Sequence, residues 1–201
     1  MQAFRDLFSD QILRPGDEVS IRNIAFAFTE LVGSSDLFSR VGDAEAYHLV
    51  REHFAEVGDI VRRHQGNIVK TVGDGIHAAF LTPDDALRAS IEMQMAMPAF
   101  NRRFEIPDIS IRIGLHAGSS IAVTLNDRLD YYGEAVNLSA RLEGQGAGGD
   151  IIMSKSFTGD PAVSNILSEY ELQEQELRLK GFDDPVAICL MRPQSDDEQQ
   201  S

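Results

Sequence analysis

One cysteine, Cys189, stands alone among 201 residues, so no disulfide can close within the chain. That fits a reducing compartment, and a cytoplasmic protein is expected. Basic residues are scarce: 18 Lys and Arg face 32 Asp and Glu, a formal net charge of −14. A surface that grips nucleic acid or an anionic membrane needs a basic footprint, which argues against both partners. Any phosphate site must then be built from a few local cations. No apolar run nears the roughly 20 residues of a membrane span. The N-terminus, MQAFRDLFSD, has no basic region followed by an apolar one, so a soluble chain is expected. With no long Pro/Gly/Ser linker and no internal repeat, the chain reads as one sizeable domain.

What is present centres on NIVKTVGDGIHAAF, residues 67–80. Ile68, Val69, Thr71 and Val72 favour a strand, Gly73-Asp74-Gly75 a tight turn, and Ile76 to Phe80 a second strand. Side chains alternate along a strand, so Lys70 and Val72 leave by one face and Asp74 follows beside the turn. A cation, an apolar contact and a carboxylate are thus strung over about 14 Å, at roughly 3.4 Å per residue. That set suits a nucleotide, with its base at one end and a metal-bound phosphate at the other. Taken alone, Asp74 reads as a plain turn former.

Elsewhere, Phe4, Leu7, Phe8 and Ile12 predict a short amphipathic helix, stopped by Arg14-Pro15-Gly16-Asp17. Ile21 to Glu30 is a strand with two nearly apolar faces, as in the centre of a sheet, and it ends on a carboxylate. Gly33, Ser34 and Ser35 then lead into a helix from Asp36 to Val41, with the serines as caps; its free backbone N–H groups form an anion site. A long helix spans Asp43 to His64 with Tyr47, Val50, Phe54, Val57 and Val61 as its core stripe. Thr82-Pro83-Asp84-Asp85 starts another, running to Phe104 with Leu87, Ile91, Met93 and Met97 inward. Ile109 to Val123 reads as one long strand or two interrupted at Gly118, followed by a turn at Asn126-Asp127-Arg128. A helix from Glu134 to Leu142 comes next, then a strand from Asp150 to Ser154 and a turn or weak helix from Ser156 to Leu167. Glu176 to Lys180 and Pro185 to Met191 form a closing antiparallel pair.

Four stretches in order resemble the catalytic domain of the class III nucleotidyl cyclases, the adenylyl and guanylyl cyclase family. They are FTELVGSS (28–35), IVKTVGDGIHAAF (68–80), IRIGLHAGSSIA (111–122) and LDYYGEAVNLSARLEG (129–144), with a weaker fifth at LRLKGF (177–182). The resemblance implies an α+β fold with a ferredoxin-like β-α-α-β-β-α-β core and the closing C-terminal strand pair. It covers a catalytic domain at 21–191, with the lead-in helix and linker at 1–20 before it and a tail at 192–201 whose polar, acidic composition predicts disorder after it. It implies that Glu30 and Asp74 are metal acids, with the carbonyl of Leu31 facing a metal and two Mg²⁺ or Mn²⁺ ions per site. Lys70 and Asp130 match the pair that hydrogen-bonds adenine. Asn137 and Arg141 match residues that orient the ribose and steady the reacting phosphate, and Lys180 resembles the lysine that grips the terminal phosphates. The activity implied is conversion of ATP to 3′,5′-cyclic AMP and pyrophosphate for intracellular signalling. Family sites lie between two catalytic domains, so a chain carrying both halves implies a head-to-tail homodimer. A sensor domain upstream in a longer parent protein fits the same picture.

The residue types suit that chemistry. A 3′-hydroxyl must attack the α-phosphorus in line while pyrophosphate leaves, a reaction served by carboxylate-held metals and fixed cations rather than by a His or Cys nucleophile. Asn137 and Arg141 stand four apart, on one helix face, and Arg offers planar, permanently charged donors to a phosphate oxygen. Outside the motif, Arg141 reads as the partner of Glu143 or Glu134 in a surface ion pair. Two positions depart from the family pattern: Glu30 stands where an Asp is usual, and His77 where Met or Leu is usual. His77 is expected to be a partly exposed structural residue. Glu30 opens an alternative reading, a cyclase-fold module that binds nucleotide or dimerises with little turnover; a cyclase for another NTP is a further one.

Overall fold

A computed structural model of the chain describes residues 18–105, 109–125 and 128–193. The helix expected over Phe4 to Ile12, the Asn126-Asp127 turn and the tail from 194 onward lie outside the described residues. The elements run β1 (Glu18–Val32), α1 (Ser34–Val41), α2 (Asp43–Arg63), β2 (Asn67–Val72), β3 (Gly75–Phe80), α3 (Pro83–Phe104) and β4 (Ser110–Leu125). They continue with β5 (Arg128–Tyr132), α4 (Glu134–Glu143), β6 (Ile151–Ser154), the short α5 (Lys155–Thr158) and α6 (Pro161–Leu167), β7 (Gln173–Leu177) and β8 (Val186–Met191). The β-α-α-β-β-α-β order is present, and the sheet runs β2-β3-β1-β4-β6-β8-β7, with β5 paired to the far end of β4. All pairings are antiparallel except β4 with β6.

β1 lies inside the sheet, between β3 and β4, and feeds two cores by alternation. Ala25, Ala27 and Leu31 pack with α2 and α3 through Val57, Leu87 and Phe100. Ile24 and Phe26 face the other way, onto Tyr131 of β5 and Ala135 of α4. This explains why both faces of the strand are apolar in sequence. α3 begins as its signature predicts: the Thr82 hydroxyl accepts from the Asp85 backbone N–H, with Pro83 at the first helical position.

Several boundaries differ from the sequence expectations, each for a physical reason. β1 starts at Glu18 rather than Ile21, because the polar residues there gain pairing to β4 (Glu18 with Val123) and need no apolar pattern. The 110–125 segment is one strand, unbroken at Gly118. β7 covers Gln173–Leu177, not Glu176 to Lys180; it is an exposed, polar edge strand, and Leu179 beyond it is buried from a loop. The α2 stripe is shifted in phase: Tyr47 is 67% exposed, while Ala46, Leu49, His53 and Ile60 share the core with Val50, Val57 and Val61.

Candidate functional site

The β2–β3 hairpin lies hard against β1. Thr29 pairs with Ile76, and a Cβ on Gly75 would stand 2.1 Å from the Thr29 carbonyl oxygen, so only glycine permits the approach. Asp74, at the turn, is thereby set beside the end of β1 where Glu30 and Leu31 leave. Since the Thr29 carbonyl faces the hairpin, strand alternation turns the Leu31 carbonyl to the same side, past the last β1–β3 pair. α1 follows at once. It starts at Ser34, two residues earlier than expected, with Gly33 (φ 85°) as a backbone N-cap and no side-chain cap, so Ser34 lies within the first turn. The first N–H groups of that turn have no partner within the helix.

Glu30 is not free. It pairs across the sheet with Arg112 of β4, whose guanidinium donates to the Glu30 carboxylate from one arm and from Nε to Glu143 of α4 at 2.5 Å. Burial, reinforced by the negative charge of Glu30 and opposed by Arg112, pushes the Glu143 carboxyl up to about 7. The expected surface ion pair of Arg141 with Glu143 or Glu134 is absent among the described residues, and Glu143 belongs instead to Arg112.

Lys70 and Asp130, 60 residues apart, meet through two contacts of 2.9 and 2.7 Å from the lysine Nζ to the two carboxylate oxygens. The lysine is 44% exposed and the aspartate 17%, so the pair opens to solvent at the edge of the sheet. Val72, 59% exposed, lies two residues on along β2. Beneath the pair sits His77, the register partner of Lys70. It is fully buried, stacked on Phe28 with ring centroids 4.2 Å apart. Among the described residues neither ring nitrogen has a hydrogen-bond partner. Burial, with Lys70 adding to it and Asp130 opposing, lowers the imidazole pKa to about 4. The expectation of a partly exposed histidine is thus corrected: β3 is buried along its whole length, so a residue on either face is enclosed.

α4 is docked by backbone contact. A Cβ on Gly114 would lie 2.2 Å from the Glu143 backbone nitrogen, and the Ser139 hydroxyl donates to the Phe26 carbonyl at 2.9 Å. Gly114→Ala is therefore expected to push α4 off β4 and destabilise the fold by about 1–3 kcal/mol, measured by urea unfolding. Ala135, Leu138, Ser139 and Leu142 face inward, leaving Asn137 and Arg141 exposed. At 3.6 residues per turn, Glu143 leaves the helix about 120° from Asn137 and about 160° from Arg141. The Glu30–Arg112–Glu143 cluster and the Asn137/Arg141 face thus occupy opposite flanks of one helix. Lys180 is exposed on the β7–β8 loop, which Leu179 anchors against Leu138 and Leu142 of α4.

Arg112 carries no expectation from the sequence, and Glu143 is expected only as a surface partner of Arg141. The signal for Arg112 was a lone charge in the otherwise apolar stretch IRIGL. Among the described residues no three His, Cys, Asp or Glu side chains gather as a metal cage. A Mg²⁺-type site needs none: one or two carboxylates suffice when substrate phosphates supply the rest, and Glu30, Asp74 and the Leu31 carbonyl are hard oxygen donors of that kind.

The pattern of the adenylate and guanylate cyclase catalytic domain matches residues 17–187, and the chain belongs to that family. Membership implies divalent-metal-assisted chemistry. An adenylate cyclase of Anabaena cylindrica is 28% identical over 184 residues, 84% of this chain. The chain spans only 36% of that relative's length. The adenylyl cyclase CyaB from P. aeruginosa superposes with a TM-score of 0.77 at 22% identity, over 90% of this chain and 98% of that one. The guanylyl cyclase Cya2 does so at 0.76 and 24%, over 89% and 94%. Among the described residues no helix is long and apolar enough to cross a membrane.

Proposed function

We propose that the protein is a nucleotidyl cyclase that converts ATP to 3′,5′-cyclic AMP and pyrophosphate, working as a homodimer with two shared sites. The observation that carries this reading is the meeting of Lys70 and Asp130 at an exposed edge. A lysine donor beside a carboxylate acceptor matches adenine, which offers a ring acceptor next to an exocyclic amine; guanine reverses that polarity. The base parts the pair and takes over both hydrogen bonds, with Val72 as apolar contact. Asn137 orients the ribose, Arg141 donates to the α-phosphate oxygens as charge builds, and Lys180 holds the departing pyrophosphate. Gly33 and Ser34 offer backbone N–H groups to phosphate.

Glu30, Asp74 and the Leu31 carbonyl would hold two Mg²⁺ or Mn²⁺ ions, which supply activation of the 3′-hydroxyl and neutralisation of the leaving group. The opposite flanks of α4 support the dimer. One chain presents its acids away from its own Asn137 and Arg141, so a partner running head to tail completes each site.

A second reading, a nucleotide-binding regulatory module with little turnover, is favoured by the hold of Arg112 on Glu30. Incubating purified protein with Mg²⁺ or Mn²⁺ and each of the four NTPs, with products resolved by chromatography, separates the readings. Cyclic AMP from ATP is expected, and no cyclic product from any NTP sinks the enzyme. Lys70→Glu with Asp130→Ser is expected to lower ATP use at least tenfold, from the loss of two base hydrogen bonds at about 1 kcal/mol each. A wild type that prefers GTP overturns the assignment of the base.

A further inference from the structure

Arg112 serves two carboxylates at once, and the two are unequal. Glu143 is the more enclosed partner, its side chain 14% exposed, and it is fixed on α4; Glu30 is 39% exposed at the open end of β1. A guanidinium has a rigid fork of five donors, so it can release one carboxylate and stay bound to the other. Glu30 and Arg112 are direct register partners across the β1–β4 pair, so the carboxylate is held from the neighbouring strand. The same carboxylate is the one assigned to metal beside Asp74.

We infer that Arg112 is a positioning residue that parks Glu30. It holds the carboxylate out of the metal site while the site is empty, and it passes to Glu143 alone when Glu30 turns toward a divalent cation. This rests on the assignment of Glu30 and Asp74 as metal acids. A binding-competent conformer that is only fractionally populated weakens apparent affinity by that fraction. Freeing Glu30 therefore strengthens cation binding, whereas a purely structural arginine would leave it unchanged or weaken it.

Titration of free Mn²⁺ by electron paramagnetic resonance, with no nucleotide present, measures this directly. Arg112→Gln is expected to tighten Mn²⁺ binding about fivefold to tenfold, the inverse of a free fraction of about 10–20%. A through-space loss of one positive charge also tightens binding, so the same substitution is made in Glu30→Ala, which leaves the fork no carboxylate to hold at that position. There the gain is expected to be at least threefold smaller. Equal gains in the two backgrounds, or no gain with Glu30 present, overturn the inference. If Arg112→Gln fails to fold, Arg112→Lys, which keeps the charge but not the fork, is run through the same cycle with the same criteria. Mn²⁺ binding that survives Asp74→Ala unchanged tells against the metal-site assignment itself. Binding that needs Asp74 but ignores Arg112 tells against the parking role alone.

Discussion

Chains carrying Arg141→Ala and chains carrying Asp74→Ala, each nearly inactive alone, are expected to regain cyclase activity when mixed. On the proposed assignment Arg141 is a donor to the reacting phosphate and Asp74 a metal acid, and loss of either is expected to cost at least about 10²–10³ in rate, the range typical of one lost donor. In either homodimer both sites carry the lesion. In a heterodimer one site collects both damaged halves and the other collects two intact ones. Random exchange of equal amounts makes half of the dimers mixed, so recovery should reach about a quarter of wild-type turnover per chain. The geometry behind this is the pair of opposed flanks on α4, which keeps the Glu30 cluster away from Asn137 and Arg141 of the same chain. Verified heterodimers that stay as inactive as the parents refute a shared site. Activity in a homodimer of either variant shows that the altered residue was not needed.

His77→Leu is expected to stabilise the protein at pH 7 and to do so more strongly in mild acid. The imidazole is fully buried with neither nitrogen satisfied among the described residues, a state that costs about 1–3 kcal/mol per group. A leucine of similar bulk fills the space without that cost. The pH dependence follows from the folded pKa of about 4, below the ordinary value of 6.5. A proton binds the unfolded chain more readily, so the stability present above pH 6.5 is lost as pH falls toward 4. Between pH 7 and pH 5 the wild type should lose about 2 kcal/mol through this one group, and the variant should be spared that loss. Urea unfolding at the two pH values reads the difference. A gap between wild type and variant that stays constant from pH 7 to pH 5 contradicts the buried, neutral histidine. His53, buried on α2 with its pKa likewise lowered to about 4 by burial against a small opposing pull from Asp74, provides a second instance of the same sign.

Most of the fold can be read from the sequence because its signals are local. The hairpin at 67–80 follows from β-formers on either side of a glycine turn, and α3 from Thr82 and Pro83. β7 escapes such a reading because Gln173–Leu177 is an edge strand held by backbone pairing to β8, with little apolar burial to leave a pattern. The burial of His77 has a local sign in its neighbours: Ile76, Ala78, Ala79 and Phe80 offer no polar face, so the strand has no solvent side for a histidine to use. The environment of Glu30 had none. Its partner lies 82 residues on, and the pairing depends on a β1–β4 register that shifts between Ile21 and Ile24. A one-residue slip would turn the arginine to the other face.

The division of labour across α4 also sets how output depends on abundance. In the proposed shared-site homodimer, a lone chain holds every required group yet cannot bring them to one substrate. When chains are dilute relative to their dissociation constant, the number of complete sites therefore rises as the square of chain concentration, and doubling expression quadruples the product formed. Above that concentration the response becomes linear. Any neighbouring segment that pre-pairs two chains would turn the quadratic regime into a linear one without touching a residue of the site.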